Sequence, residues 1–456
     1  MMGSSNLAAG FIDLATYDEV EKYMYGGGEA TTYFVRAVRK STWFTQVPTI
    51  LTKSSGLPGF GQEWSVNITR AGDYLMYAWL HVVIPEVTLL AGNQFGANGR
   101  LRWTRNLGHN LVKECQITFN DLTAARFDSN HLDFWAAFTT PASKATGYRN
   151  MIGDVPTLTD PYAPGVTIPS WTINLPLPFF FARDKGVAIP AAAIPYNEMR
   201  ISFVLRDWTE LLILDQSNVA GSQTVVPQVP GDIATAPTLP NVQVWANYAI
   251  VSNDERKRMS CSPRSILIEQ VQTSSKMAFA PATNPDPLYD QRFSHAIKVI
   301  FFAIINKTFK NVQSNYTTNS ADNNGVTVNY VTGVDPIESA SLIYESTTRL
   351  SHMTADYYSL VQPWFTAPTI PTATGYHMYS YSTDFECLDP MGSTNFGKLT
   401  NVSMGLRASA QAIVAANGTG PATSGSDFKQ TFEFVTTVVN NNVIAISGGA
   451  LGFPVL

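Results

Sequence analysis

The stretch Gln116 to Trp135 reads QITFNDLTAARFDSNHLDFW, and Ser341 to Tyr358 reads SLIYESTTRLSHMTADYY. Each carries a strand-like run, Gln116–Asp121 in one and Ser341–Glu345 in the other. Each then has an Arg followed by an apolar residue (Arg126-Phe127, Arg349-Leu350), five residues, and an Asp followed by two aromatics. The same offset, 223, separates Arg126 from Arg349 and Asp133 from Asp356. Downstream, Thr146-Gly147-Tyr148 is answered by Thr374-Gly375-Tyr376 at an offset of 228, and Ile201-Ser202-Phe203 by Val402-Ser403-Met404. A variable loop and a final strand close both series, Val244–Val251 in the first half and Phe432–Val439 in the second. Matches in one common order point to a duplicated unit of roughly half the chain.

The units read as all-β. Runs of Val, Ile, Phe, Tyr, Trp and Thr, bounded by Gly, Pro and Asn, recur at Gln62–Ile68, Tyr74–Ile84, Leu111–Phe119, Met199–Leu205 and Val242–Val251. They return at Ile266–Val271, Ile297–Ile305, Leu342–Glu345, Leu399–Leu406 and Thr431–Val439. Many antiparallel strands with long loops suggest sandwiches, and the jelly roll is a common arrangement. The chain's 456 residues exceed what one core supports. The expected division is an arm at 1–30, a first jelly roll at 31–253, a linker at 254–263 and a second roll at 264–456. In the arm, Thr16 and Glu19 form a capping-box pattern, and Leu14, Tyr17, Val20 and Met24 make an apolar stripe ahead of Gly26-Gly27-Gly28. A helix over Thr16–Tyr25 follows, either folded on its own domain or docked on a neighbour or membrane. The segments Arg126–Phe138 and Arg349–Trp364 read as a strand end and a short helix, with an ion pair or cap pinning each. The linker Ser252–Pro263 reads as a solvated turn carrying Asp254-Glu255-Arg256-Lys257-Arg258.

Charged residues make up 14% of the chain, well below the roughly 25% of an average soluble protein. Either the surface is covered by uncharged polar groups or much of it becomes subunit interface, where charge is depleted. A net charge of -5 gives no bulk attraction to nucleic acid or anionic lipid. Cys115, Cys261 and Cys387 are too few and too scattered for a disulfide framework or zinc site, which fits a reducing compartment. No basic segment leads into an apolar stretch near Met1, and the longest apolar run, around Val299–Ile305, is interrupted upstream by Lys298, so neither a signal peptide nor a membrane span is expected. The sequons at Asn67, Asn306, Asn315, Asn401 and Asn417 are accordingly expected to stay unmodified.

No Walker loop, HExxH or Gly-x-Ser-x-Gly motif occurs, and the expectation is no catalytic, cofactor-binding or metal-binding residue. His109, His131 and His295 have apolar neighbours and read as structural hydrogen-bonding groups. The competing reading is a carbohydrate-binding protein or glycosidase, with Trp171, Trp208 and Trp364 stacking on sugars and Asp133 and Glu198 as acid and base.

Longer strings are specific: GFIDLATYDEVEKYMYGG at Gly10–Gly27, TTYFVR, WFTQVP, and LPLPFFFARDKGVAIPAAAIPYNEMRI at Leu175–Ile201. They continue with LIEQVQ at Leu267–Gln272, RFSHAIK at Arg292–Lys298, DYYSLVQPW at Asp356–Trp364, STNFGKLTN at Ser393–Asn401 and the terminal GGALGFPVL. In these the sequence resembles the major capsid proteins of iridoviruses, most of all those of invertebrate iridescent viruses, along essentially the whole chain. The resemblance implies two tandem eight-stranded jelly rolls, and three copies forming a pseudohexagonal capsomer. It also implies capsomers tiling an icosahedral shell over an inner membrane, minor capsid proteins as partners, an arm facing inward, and assembly in the host cytoplasm. Departures fall in loops at Pro156–Ser170, Asp215–Asn241, Lys310–Gly333 and Ala408–Asp427.

Overall fold

The computed structural model describes residues 3–216, 224–318, 333–418 and 429–453; parts of three variable loops and the last residues of GGALGFPVL lie outside them. The chain divides into two units, residues 1–43 and residues 44–456.

The first unit holds two helices, α1 (Gly3–Ala15) and α2 (Glu19–Tyr25), where the sequence suggested one. The cap is Asp18, not Thr16. The Glu19 amide donates to the Asp18 carboxylate at 2.7 Å, and the Asp18 amide donates to Glu21 at 3.1 Å, completing the reciprocal box. A carboxylate outcompetes a hydroxyl at the positive end of a helix. Thr16 instead donates its hydroxyl to the Asp13 carbonyl, and Leu14 belongs to α1. From residue 6 to residue 43, every side chain is exposed except that of half-buried Glu21.

The body contains two eight-stranded sets. The first comprises β1 (Phe44–Ile50), β2 (Glu63–Asn67), β3 (Tyr74–Ile84), β4 (Val112–Phe119), β5 (Leu122–Asp128), β6 (Trp171–Pro176), β7 (Met199–Leu205) and β8 (Asn241–Val251). Helices α3 (Ser129–Thr139) and α4 (Ala142–Ile152) stand between β5 and β6. After α5 (Asn253–Cys261) comes the second set: β9 (Arg264–Thr273), β10 (Leu288–Asp290), β11 (Ala296–Asn306), β12 (Ile337–Tyr344), β13 (Thr347–Thr354), β14 (His377–Ser380), β15 (Val402–Ala408) and β16 (Phe432–Ser447). A π-helical turn, Tyr357–Val361, and α6 (Gln362–Thr366) occupy the place of α3 and α4.

All pairings are antiparallel, and the two sets have one topology. The sheets run β1-β8-β3-β6 and β2-β7-β4-β5 in the first half, and β9-β16-β11-β14 and β10-β15-β12-β13 in the second. This is the jelly-roll order, twice. The sequence matches fall on equivalent strands: Gln116 and Ser341 on β4 and β12, Ile201 and Val402 on β7 and β15, and Arg126 and Arg349 on β5 and β13. Strict alternation along β7, buried at Met199, Ile201, Phe203 and Leu205, marks a strand with one face inward.

β11 departs from that alternation. Ten of its eleven residues are buried, so both faces are covered. Ile300, Phe302 and Ile304 face the interior of the second roll, while Val299, Phe301, Ala303 and Ile305 meet Phe134 and Phe138 of α3. The first-half core likewise extends to Ile266, Ile268, Ile444 and Ile446 of the second half. The two rolls are therefore joined through packed apolar side chains.

Two local expectations are corrected. The linker is not a solvated turn but the helix α5, with Asp254 and Glu255 in its first turn and Arg258 in its last, as the helix dipole favours. Its Arg256 forms a two-pronged bond with Asp73 at 2.7 and 2.9 Å, which holds the Asp73 carboxyl below its ordinary range. Of the ion pair or cap expected to pin α3, the cap is present, with Asp128 accepting from the His131 amide at 2.9 Å, whereas Arg126 approaches Glu114 at 3.1 Å and not Asp133.

Candidate functional site

The chemistry-bearing side chains converge where the two rolls meet. α3, placed there by its capping Asp128 and by Leu132 in the first core, presents Asp133 to a cluster of buried polar groups. Asp133 Oδ1 lies 2.7 Å from His109 Nδ1 and accepts from Asn106 at 3.1 Å; Oδ2 accepts from the hydroxyls of Ser314 at 2.5 Å and Tyr316 at 2.8 Å. His109 Nε2 lies 2.6 Å from the Tyr148 hydroxyl. Burial, with Asp133 adding to it, pushes both the Tyr148 and Tyr316 phenols well up. A Ser, a His and an Asp stand together here, but Ser314 donates to the carboxylate rather than to the imidazole. A hydrolytic serine needs its proton accepted by the histidine. The network ties residues from both halves and leaves no activated nucleophile.

A second cluster is ionic. Lys298, fully buried, occurs where the β11 ladder skips a residue between Ile297 and Val299. Its ammonium donates to Glu269 Oε1 and to the Cys387 carbonyl, both at 2.5 Å. Glu269 also binds Arg183, whose guanidinium lies 3.8 Å from the centre of the Trp135 ring. Burial draws Arg183 down to about 9 and Lys298 down to about 8, so both keep their protons at neutral pH. The cluster borders an open cleft of ≈ 810 Å³ that also meets Asp184, Lys185, Asp384 and Glu386. Burial raises the Glu386 carboxyl, with Asp384 adding to it.

The three histidines divide. His109 makes the structural bonds expected. His131 is buried among Phe127, Trp135 and Phe301, and neither ring nitrogen has a partner among the described residues, against expectation. Burial pulls it down to about 3. His295 is exposed on a left-handed backbone (φ 65°), where no apolar neighbourhood encloses it. The residues of the carbohydrate reading are not brought together. Asp133 is enclosed, whereas Glu198 is exposed and bound to Arg200. Trp171 is half-buried with its indole donating to the Asn150 carbonyl, Trp208 packs on the first core, and Trp364 is exposed. All three cysteines are free, and among the described residues no three His, Cys, Asp or Glu side chains are grouped to hold a metal ion. Among the described residues no helix is long and apolar enough to cross a membrane.

Sequence reasoning passed over Arg183, Glu269 and Lys298 as a group. The available signal was a lone cation inside an apolar strand, since a buried charge demands partners.

Residues 32–251 match the family described as major capsid protein N-terminus, and residues 255–452 match large eukaryotic DNA virus major capsid protein. The chain is 62% identical to the major capsid protein of Invertebrate iridescent virus 6, covering 100% of both chains. The chain belongs to this capsid protein family. It is also 48% identical to the major capsid protein of Lymphocystis disease virus 1, covering 100% of this chain and 99% of the other. Among solved structures, the PBCV-1 virus capsid gives a TM-score of 0.73 at 20% identity, over 93% of this chain and 100% of that one. The Faustovirus major capsid protein gives 0.71 at 12% identity, over 95% of each. These likenesses show the shared double jelly-roll fold. Membership of the family makes the protein a structural component of a virion, and the carbohydrate-binding reading finds no support.

Proposed function

We propose that three copies close into a trimeric capsomer of six similar lobes, and that these capsomers tile an icosahedral shell over an inner membrane, assembled in the host cytoplasm. The role is structural and involves no catalysed reaction. The carrying observation is the repetition of one jelly-roll topology in two rigidly joined lobes of one chain. A second support is the scarcity of charge, which suits large obligate interfaces. The two rolls act as domains of about residues 31–253 and 264–456, with 254–263 connecting them. Light scattering of the purified protein should give three times 49.9 kDa at low and high salt alike, because apolar interfaces resist screening. A stable monomer at micromolar concentration would refute the trimer.

The arm carries a separate role. In α1, Leu7, Phe11 and Leu14 stand at helical spacing and all are exposed, as are Val20, Tyr23 and Met24 of α2. Such a surface suits a partner: the inner membrane or a minor capsid protein. Deleting residues 1–28 should leave folded, soluble trimers that fail to form shells, and loss of folding would assign the arm to the core instead.

A further inference from the structure

The two halves repeat a sequence, a topology and one half of a contact. Within the chain, α3 of the first roll lies across the outer face of the β9-β16-β11-β14 sheet. Phe134 and Phe138 are fully buried there, and both stack on Phe301, with ring centroids 6.1 and 5.4 Å away. The corresponding helix of the second roll packs Tyr357 and Tyr358 on its own core and, among the described residues, lies across no sheet of the other roll. By the offset of 223, Phe134 corresponds to Tyr357 and Phe138 to Val361. Val361 is exposed, as are Leu360, Trp364 (71%) and Phe365 (76%), four apolar side chains on one helical stripe.

The face that such a helix would cover is also present and open. β3 and β11 are both eleven-residue strands at the same place in the sheet order, so Phe301 corresponds to Trp79 and Val299 to Tyr77. Burial supports this register, since Ala78, Leu80 and Val82 face the first core as Ile300, Phe302 and Ile304 face the second. Trp79 and Trp245 stack at 5.9 Å, Tyr77 adjoins Trp79 at 6.1 Å, and Ile50 of β1 sits beside Trp245. Tyr77 is 42% exposed and both tryptophans are half-buried. The neighbouring half-buried positions His81 and Gln243 add no Asp, Glu, Lys or Arg. Exposed aromatic surface of this kind, free of charge, marks an interface.

We infer that the Tyr357–Thr366 helix of one copy docks on the Tyr77–Trp79–Trp245 face of a second copy, repeating between chains the contact that α3 makes within the chain. The pairing is heterologous: each copy offers one helix and one face. If the step between chains repeats the step within the chain, lobes alternate around a ring and three copies close it. The inference rests on the trimer reading and adds the surfaces that make it. It also explains why the second-roll helix keeps apolar side chains in solvent while its counterpart in the first roll is buried.

The test uses the full chain in two forms. Trp364→Asp combined with Phe365→Asp should shift the mass from three times 49.9 kDa to a single chain, with unchanged circular dichroism because both residues are exposed. Independently, Trp79→Cys with Val361→Cys, in a background with Cys261→Ser and Cys387→Ser, should yield covalent trimers on mild oxidation. A trimeric wild type whose Asp variant stays trimeric and whose cysteine pair joins nothing, or joins only within a chain, overturns the docking while leaving the trimer intact. A monomeric wild type overturns both.

Discussion

His131 is buried with no hydrogen-bond partner among the described residues, and it should make the folded chain acid-sensitive. Its ring lies 5.9 to 6.5 Å from those of Trp135, Phe127 and Phe301, and burial followed by the charge of Arg183 draws its pKa from 6.5 to about 3. In the unfolded chain the imidazole titrates normally. Between pH 6.5 and 3 the unfolded state therefore holds a proton that the folded state lacks, and stability falls as pH falls through that window. Above it this residue contributes no slope. At pH 4.5 the two-unit gap below 6.5 corresponds to about 3 kcal/mol. His131→Leu removes the titrating group and the buried nitrogens, each of which costs on the order of 1–3 kcal/mol when unpaired. Urea unfolding followed by tryptophan fluorescence, at fixed protein concentration, should find the variant at least as stable as wild type at pH 7. Its advantage should then widen by about 3 kcal/mol on going to pH 4.5. Parallel stability curves for the two proteins across pH 7 to 4.5 would refute the reasoning.

Glu269→Ala leaves Arg183 and Lys298 buried without their shared carboxylate and should cost about 3–5 kcal/mol, whereas Glu269→Leu with Lys298→Met should cost less, as measured by denaturant midpoint. Phe138→Ala empties the contact with Phe301 and should cost roughly 3–5 kcal/mol. Because that contact joins the rolls, limited proteolysis of the variant should release fragments ending near α5, and an unchanged digestion pattern would argue against it. Asp133→Ala strands the partner groups of His109, Ser314 and Tyr316 and should lower the melting temperature, while Glu198→Ala, on the surface, should leave it unchanged.

The fold was legible wherever a local signal was repeated. Tyr74–Ile84 was read to its last residue because Asp73 and Pro85 bracket an unbroken run, and the order of the Arg-x5-x-Asp segments placed β5 and β13 correctly. α5 was misread because its sequence is polar all round; the residue that anchors it, Asp73, lies 183 positions upstream of Arg256. The cap of α2 was missed by two residues since Thr16 and Asp18 both satisfy the pattern, and only geometry shows which oxygen faces the free amides. Of the junction, Asp133 is legible only as a member of the repeat, because the groups it binds lie far along the chain, and His131, which reads as a hydrogen-bonding group, has no partner among the described residues.

Strand periodicity, the duplication and the poverty of charge are all legible in the chain, because each is a property of neighbours along it or of composition. The tertiary structure alone decided what those strands face. β11 is apolar on both sides, a pattern that fits several environments, and only the fold brings α3 from the other half across it. The same holds for Asp133, which meets Ser314 and Tyr316 across 181 and 183 residues. It holds too for Lys298, whose charge is tolerable only because Glu269 arrives from an adjacent region of the fold. Burial and pairing are set by distance in space, and no local pattern in the chain records that distance.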